Sequence, residues 1–325
     1  MWRGDPRPEP ILHLDECLPA ALRGDGTSVT PLSNSFSGAG VYRIERDGRA
    51  FVLKVSDVAD PIDAWKRRLQ VLRSAAAAGL APRIVHVDEV RRAVVSAFVG
   101  GPPVSARFAD PATREAAIAQ LGRTLRRVHD LPLPADAELR DLRAYLVSLW
   151  PTVSASAVPL PAFVAGVVER VLADEVPEAG RAPVLSHNDV HPVNLVHDGE
   201  HLLLVDWDAA SANEPYFDLA TIALFLRLDD ASCARLIAAH DDAPVAALPA
   251  RFLYDRRLVA VVLGVGFLAA GHAGGHSDPV GDGTLEAAPT MLEFYTRMRA
   301  GTLDLATGEG RWWFGLALVK AGATL

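Results

Sequence analysis

The sequence predicts an α+β fold in two lobes, a small N-terminal lobe built on an antiparallel sheet and a larger, mainly helical C-terminal lobe. Three observations carry that expectation. Short apolar runs separated by turn residues crowd into the first hundred positions, and Asp47-Gly48 stands between two of them as a hairpin signal. Gly100-Gly101-Pro102-Pro103 then breaks the pattern, and beyond it apolar residues recur at helical spacing, as in Ile118, Leu121, Leu125 and Val128. With 325 residues, 50% of them apolar, the chain can bury two cores. The expected division is 1–99 and 100–325.

Residues 27–55 read as three strands, the last two closing on Asp47-Gly48. A helix follows over about 62–78, where Trp65, Leu69 and Leu72 share one face. Strands over 83–88 and 92–98 then complete a five-stranded antiparallel sheet with one helix. Residues 111–131 predict a helix ending in Leu125-Arg126-Arg127-Val128-His129-Asp130-Leu131, with His129 packed in the core or at the helix end. A loop and two short strands come next, and helices run to the C-terminus. The uncharged apolar run 258–270 is too short to span a bilayer and predicts a buried helix.

A net charge of -8 argues against general nucleic-acid binding and suits a small, cationic partner. Cys17 and Cys233 are too few for a disulfide framework, and Met1-Trp2-Arg3-Gly4-Asp5-Pro6 lacks the apolar core of a signal peptide. The expectation is a cytoplasmic monomer or homodimer with no nucleic-acid or membrane partner.

The chemistry concentrates in residues 186–208, SHNDVHPVNLVHDGEHLLLVDWD. Asp189 is followed five positions later by the amide of Asn194, and an apolar strand then ends in a second carboxylate, Asp206. That spacing can set a base beside a hydroxyl and hold a metal over nucleotide phosphates. Zinc is the weaker reading of His187, His191, His197 and His201, because Asn188 stands where a zincin needs glutamate and Pro192 breaks the helix. His272 and His276, with Gly274-Gly275 between them, read as a helix end. Only three of the 32 basic residues are lysines, and Lys54 sits within the apolar run Phe51-Val52-Leu53-Lys54-Val55. A compact point charge there suits nucleotide phosphates. The small residues of 33–40, with Ser35, Phe36, Ser37 and Gly38 as nucleotide-binding candidates, lie where a phosphate-covering turn is expected.

This segment resembles the catalytic core of the aminoglycoside phosphotransferase and choline kinase superfamily, which shares its architecture with protein kinases. The resemblance implies a protein-kinase-like fold, with Asp189 as catalytic base and Asn194 and Asp206 as ligands of Mg2+. It implies that Lys54 pairs with the phosphates of ATP or GTP and that backbone groups around Ser96 and Phe98 bind the base. His187 would brace the loop, Asp208 would complete an Asp-x-Asp pair, and Asp218 would cap a helix and hold the catalytic loop. The superfamily's usual glutamate partner for the lysine is missing, since its position falls on Arg68. Asp57, Asp60 and Asp63 are the nearby carboxylates; Asp63 is the substitute chosen among them, and a shifted alignment or a different partner for the lysine stays open.

The implied function is ATP- or GTP-dependent phosphorylation of a hydroxyl on a small molecule. Asn213-Glu214-Pro215-Tyr216-Phe217-Asp218-Leu219-Ala220 resembles choline, ethanolamine and thiamine kinases more than antibiotic kinases. Tyr254, Phe267, Phe294, Tyr295, Trp312, Trp313 and Phe314 offer aromatic faces for a quaternary ammonium. Two alternatives stay open: an aminoglycoside kinase using Asp255, Glu286 and Glu293, and a nucleotide-binding pseudokinase, which the Arg68 departure favours.

Overall fold

The computed structural model describes residues 14–32, 40–155, 159–178, 180–276, 278 and 280–325. Five strands, β1 (Ser28–Pro31), β2 (Gly40–Arg46), β3 (Arg49–Val55), β4 (Ile84–Asp88) and β5 (Ala93–Ala97), form one antiparallel sheet in the order β1-β2-β3-β5-β4. The β2–β3 hairpin closes at Asp47 and Gly48, whose φ values of 50° and 70° are what the tight turn requires. Phe51, Leu53 and Val55 point from β3 into an apolar core shared with Cys17, Leu18, Ile44 and Val95. Strand alternation therefore turns Lys54 to the opposite face.

Helix α1 (Ile62–Ala77) buries Trp65, Leu69, Val71 and Ala75. Gly79, at φ 66°, ends it, and the Leu80 amide returns to the Ala75 carbonyl at 2.8 Å. Val71, Ala75 and Leu80 then join the core of the helical part, which anchors α1 to it.

Helix α2 (Ser105–Ala109) leads to α3 (Pro111–His129), which is capped by the Asp110 carboxylate on the Ala112 amide. Helices α4 (Leu142–Ser154) and α5 (Ala162–Ala173) follow. Two small antiparallel pairs come next: β6 (Val184–Ser186) with β9 (Ser211–Asn213), and β7 (Leu195–His197) with β8 (Leu202–Leu204). They lie on a core of Ile118, Leu121, Leu125, Leu185, Leu219 and Leu236.

The chain ends in α6 (Tyr216–Phe225), α7 (Asp230–Asp241), α8 (Ala250–Ala273), α9 (Met291–Arg299) and α10 (Gly308–Thr324). The apolar run 258–270 lies inside α8, which packs on α10 at very short range. A Cβ added at Gly264 would stand 2.6 Å from Val319 Cγ2. Among the described residues no helix is long and apolar enough to cross a membrane. Cys17 and Cys233 are free and buried.

Candidate active site

Two connections bring the sheet and the helical part to one cleft. The Leu204 amide of β8 donates to the Leu80 carbonyl at 2.8 Å, so the strand that ends in Asp206 is fixed to the chain leaving α1. Across the cleft, Lys54 Nζ donates to Asp206 Oδ1 at 2.6 Å and lies 2.8 Å from Asp208 Oδ2. Burial opposes a charge on this lysine, but Asp208 and then Asp206 outweigh it and raise its pKa. Both carboxylates are partly open to solvent, at 37% and 38% exposed, so an incoming ligand can reach them.

The lysine's partners correct one expectation. Asp206 and Asp208 take the place proposed for Asp63, which stands in the first turn of α1. Arg68 is paired with Asp60 at 2.7 Å. Its presence at the superfamily's glutamate position therefore does not leave Lys54 uncompensated.

Asp189 and Asn194 are locked to each other. Asn194 Nδ2 donates to Asp189 Oδ2 and to the Asp189 carbonyl, both at 2.9 Å, and His191 Nε2 lies 3.6 Å from the same carboxylate oxygen. The Asn194 carbonyl in turn accepts from the Val205 amide at 2.9 Å, which ties the loop to the residue before Asp206. Asp206 itself is left-handed, at φ 62° and ψ 65°. Such a conformation costs roughly 1 kcal/mol or more and aims this carboxylate independently of the strand's alternation.

His187 braces the loop from beneath, as expected. Its Nε2 donates to the Val205 carbonyl at 3.0 Å and its ring packs edge-on against Trp207 at 4.8 Å. Burial, the dominant influence, lowers its pKa and keeps it neutral. Asp218 accepts from the backbone amides of His187 and Asn188, each at 2.8 Å. Although fully buried, it stays ionised, because the hydrogen bond to His129, the charge of that histidine and the His187 amide lower its pKa against the burial.

The donor set fits a magnesium ion. Asp206 offers a carboxylate, and Asn194 spends its Nδ2 on Asp189, which leaves its amide oxygen available to a cation. An ammonium already sits between Asp206 and Asp208, so positive charge is what this pair accepts.

A model of the phosphotransferase enzyme family matches residues 28–256, more than half of the chain. The chain belongs to that family. Its fold is the two-lobed, protein-kinase-like one, and solved structures of low identity share it. A choline/ethanolamine kinase family protein from Mesorhizobium loti is 20% identical, with 93% of this chain and 94% of that one covered at a TM-score of 0.59. The choline kinase LicA from Streptococcus pneumoniae is 15% identical, with 85% and 92% covered at 0.54. The macrolide 2'-phosphotransferase MphH from Brachybacterium faecium is 16% identical, with 79% and 90% covered at 0.57. No curated protein matches the chain.

In this phosphotransferase the remaining sequence-predicted residues divide. Ser35, Phe36, Ser37 and Gly38 lie outside the described residues. Ser96 sits within the sheet, opposite Val52 and Ile84. The Phe98 amide is taken by the Ala50 carbonyl at 3.1 Å and the Ala97 amide by the Arg83 carbonyl at 2.8 Å. A base bound here must use carbonyl oxygens of this stretch or amides from Val99 onward.

Among the aromatic candidates, Trp312 and Tyr254 are fully buried, and the Trp313 ring carries the Arg297 guanidinium 4.2 Å from its centre. Trp312 presents no free face, and one face of half-buried Trp313 is already taken. Half-buried Phe225, which sequence reasoning missed, stands edge-on to His191 at 5.8 Å and continues into Phe314, Phe267 and Tyr295. Its signal was faint, because it closes an almost wholly apolar helix and reads as core.

Proposed function

We propose that this chain transfers the γ-phosphoryl group of ATP or GTP, with Mg2+, to a hydroxyl group of a small molecule. The observation that carries this reading is the meeting of Lys54 with Asp206 and Asp208 beside the locked Asp189–Asn194 pair, from parts of the chain 152 residues apart. On binding, nucleotide phosphates would replace the two aspartates as partners of Lys54, and Asp206 and Asn194 would hold the metal. The metal supplies positive charge that neutralises the β- and γ-phosphates. Asn194 fixes one oxygen of Asp189, with His191 nearby at 3.6 Å, leaving the other for the acceptor hydroxyl. The hydroxyl oxygen attacks the γ-phosphorus as the bond to the β-phosphate oxygen breaks. The hydroxyl proton goes to Asp189, and the nucleoside diphosphate leaves.

A choline-, ethanolamine- or thiamine-type acceptor is the reading favoured over an aminoglycoside. Two of the three carboxylates considered for aminoglycoside ammonium groups have other work: Asp255 is buried against Arg251 at 3.1 Å, and Glu293 closes the capping box of α9 with Thr290. Half-buried Phe225, edge-on to His191 next to the base, is the aromatic ring that could meet an amino alcohol, while Phe314 behind it belongs to the core. Side-by-side phosphorylation of choline, ethanolamine, thiamine and kanamycin tests this. Turnover of kanamycin alone would overturn the acceptor class, and binding of magnesium nucleotide without any turnover would point to a pseudokinase.

A further inference from the structure

Behind the catalytic loop, four titratable side chains form an unbroken line. His129 Nε2 lies 3.2 Å from Asp218 Oδ2, His129 Nδ1 lies 2.8 Å from His240 Nε2, and His240 Nδ1 lies 2.7 Å from Asp241 Oδ1. Both histidines are buried, at 7% and 2% exposed. Both flanking carboxylates are ionised. Asp218 accepts two loop amides, and Asp241 takes both guanidinium nitrogens of Arg181 at 2.7 Å and the Tyr216 hydroxyl at 3.2 Å.

Counting donors fixes the proton content. A carboxylate only accepts, so the nitrogens facing Asp218 and Asp241 must each carry a proton. The short contact between the rings needs a third, since two facing lone pairs would repel. Two neutral imidazoles hold two protons. We infer that His129 and His240 together hold one proton more than a neutral pair, and that His240 is thereby a positioning residue for the catalytic loop. The loop's role rests on the phosphotransfer reading; the proton count does not.

The surroundings agree with one extra proton and no more. Asp218, Asp241, Arg181 and the charged pair sum to zero. His240 is pushed down to about 4, first by burial and then by the positive charge of His129, so a second extra proton is refused. The other titratable groups facing the pair are His187 in the catalytic loop, which burial keeps neutral, Arg126, whose guanidinium donates to the His240 carbonyl at 3.2 Å, and Asp130, which pairs with Arg126. Glu214 lies beside Arg181 and Tyr216, the two partners of Asp241, rather than beside the rings. A cavity of about 330 Å³ lined by these residues opens beside the rings and gives water a route for proton exchange. Losing the extra proton leaves three contacts and two protons, so one contact must break. Asp218 is one end of the line, and it holds His187 and Asn188, which precede Asp189.

The test is 15N–1H spectroscopy of the full chain with labelled histidine imidazoles and backbone amides, the rings being assigned with His240→Gln. At about pH 6.5 the expected result is three protonated nitrogens among the four of His129 and His240. As pH rises one proton should leave with a single midpoint, and the amides of His187 and Asn188 should shift with that midpoint. Asp241→Asn removes the demand for one proton, because its amide can donate to His240 Nδ1, and should lower the midpoint by about one unit or more. Arg181→Gln strips the cation from Asp241 and should raise it, which keeps the test alive if the first variant fails to fold. Two protonated nitrogens throughout, or loop amides that do not follow the rings, would overturn the inference. No nucleotide or acceptor is needed, so this result stands apart from the phosphorylation assay.

Discussion

Asn213 Nδ2 donates to Asn188 Oδ1 at 2.7 Å, joining the residue before Asp189 to the end of β9. Asn188 is left-handed, at φ 63°, and its own amide reaches the Ala209 carbonyl at 3.1 Å. Asparagine tolerates this conformation better than most residues, and the local bonds secure it. Asn213→Ala should therefore leave a part-buried oxygen unpaired and destabilise the fold by about 1–3 kcal/mol. A urea midpoint unchanged from wild type would contradict this bracing.

Much of this arrangement was legible in the sequence, because strand alternation, the Asp47-Gly48 turn and the spacing from Asp189 to Asp206 are local signals. The partner of Lys54 was not. It lies 152 positions away, and a helix with arginine where glutamate was expected pointed to Asp63 instead. The aromatic rings were open for a related reason: sequence shows that a ring is present, but not that Trp312 is buried or that Arg297 lies over one face of Trp313. The line from Asp218 to Asp241 was equally hidden, since His129 and His240 are 111 residues apart and each alone reads as core.

Asp189→Ala should cost roughly 10²- to 10⁴-fold in turnover while leaving magnesium-nucleotide affinity within a few-fold of wild type. Acceptor phosphorylation and calorimetric nucleotide binding, measured on the same preparation, separate the two effects. Equal losses in both would mean that Asp189 serves nucleotide binding rather than the acceptor.

Replacing Asp206 by Ala should remove most of the magnesium dependence of nucleotide binding, because its carboxylate is the charged member of the proposed metal pair. Lys54→Met should behave differently. It deletes the phosphate partner and leaves Asp206 and Asp208 facing each other without their cation, so nucleotide should bind more weakly both with and without magnesium. Identical responses of the two variants to magnesium would refute this division of labour.

Glu214 gives a prediction about pH. It is buried at the start of α6, where its Oε2 accepts from the Tyr216 amide at 3.0 Å and its Oε1 finds no hydrogen-bond partner among the described residues. Burial, and then the neighbouring Asp255 charge, push its pKa up to about 8 from an ordinary 4.5. Asp255 is raised as well, chiefly by burial, but Arg251 at 3.1 Å opposes the shift, so Glu214 is the member that keeps the proton. Because the folded chain binds this proton more tightly than the unfolded chain, the stabilisation is complete below about 4.5 and is lost as pH rises through about 8. Within that window the slope is up to ~1.4 kcal/mol per pH unit. Glu214→Gln keeps a neutral donor in place and should flatten the slope while holding the stability measured near pH 5. Urea unfolding of both proteins at several pH values checks it, and a variant as pH-sensitive as wild type would show that another group carries the titration.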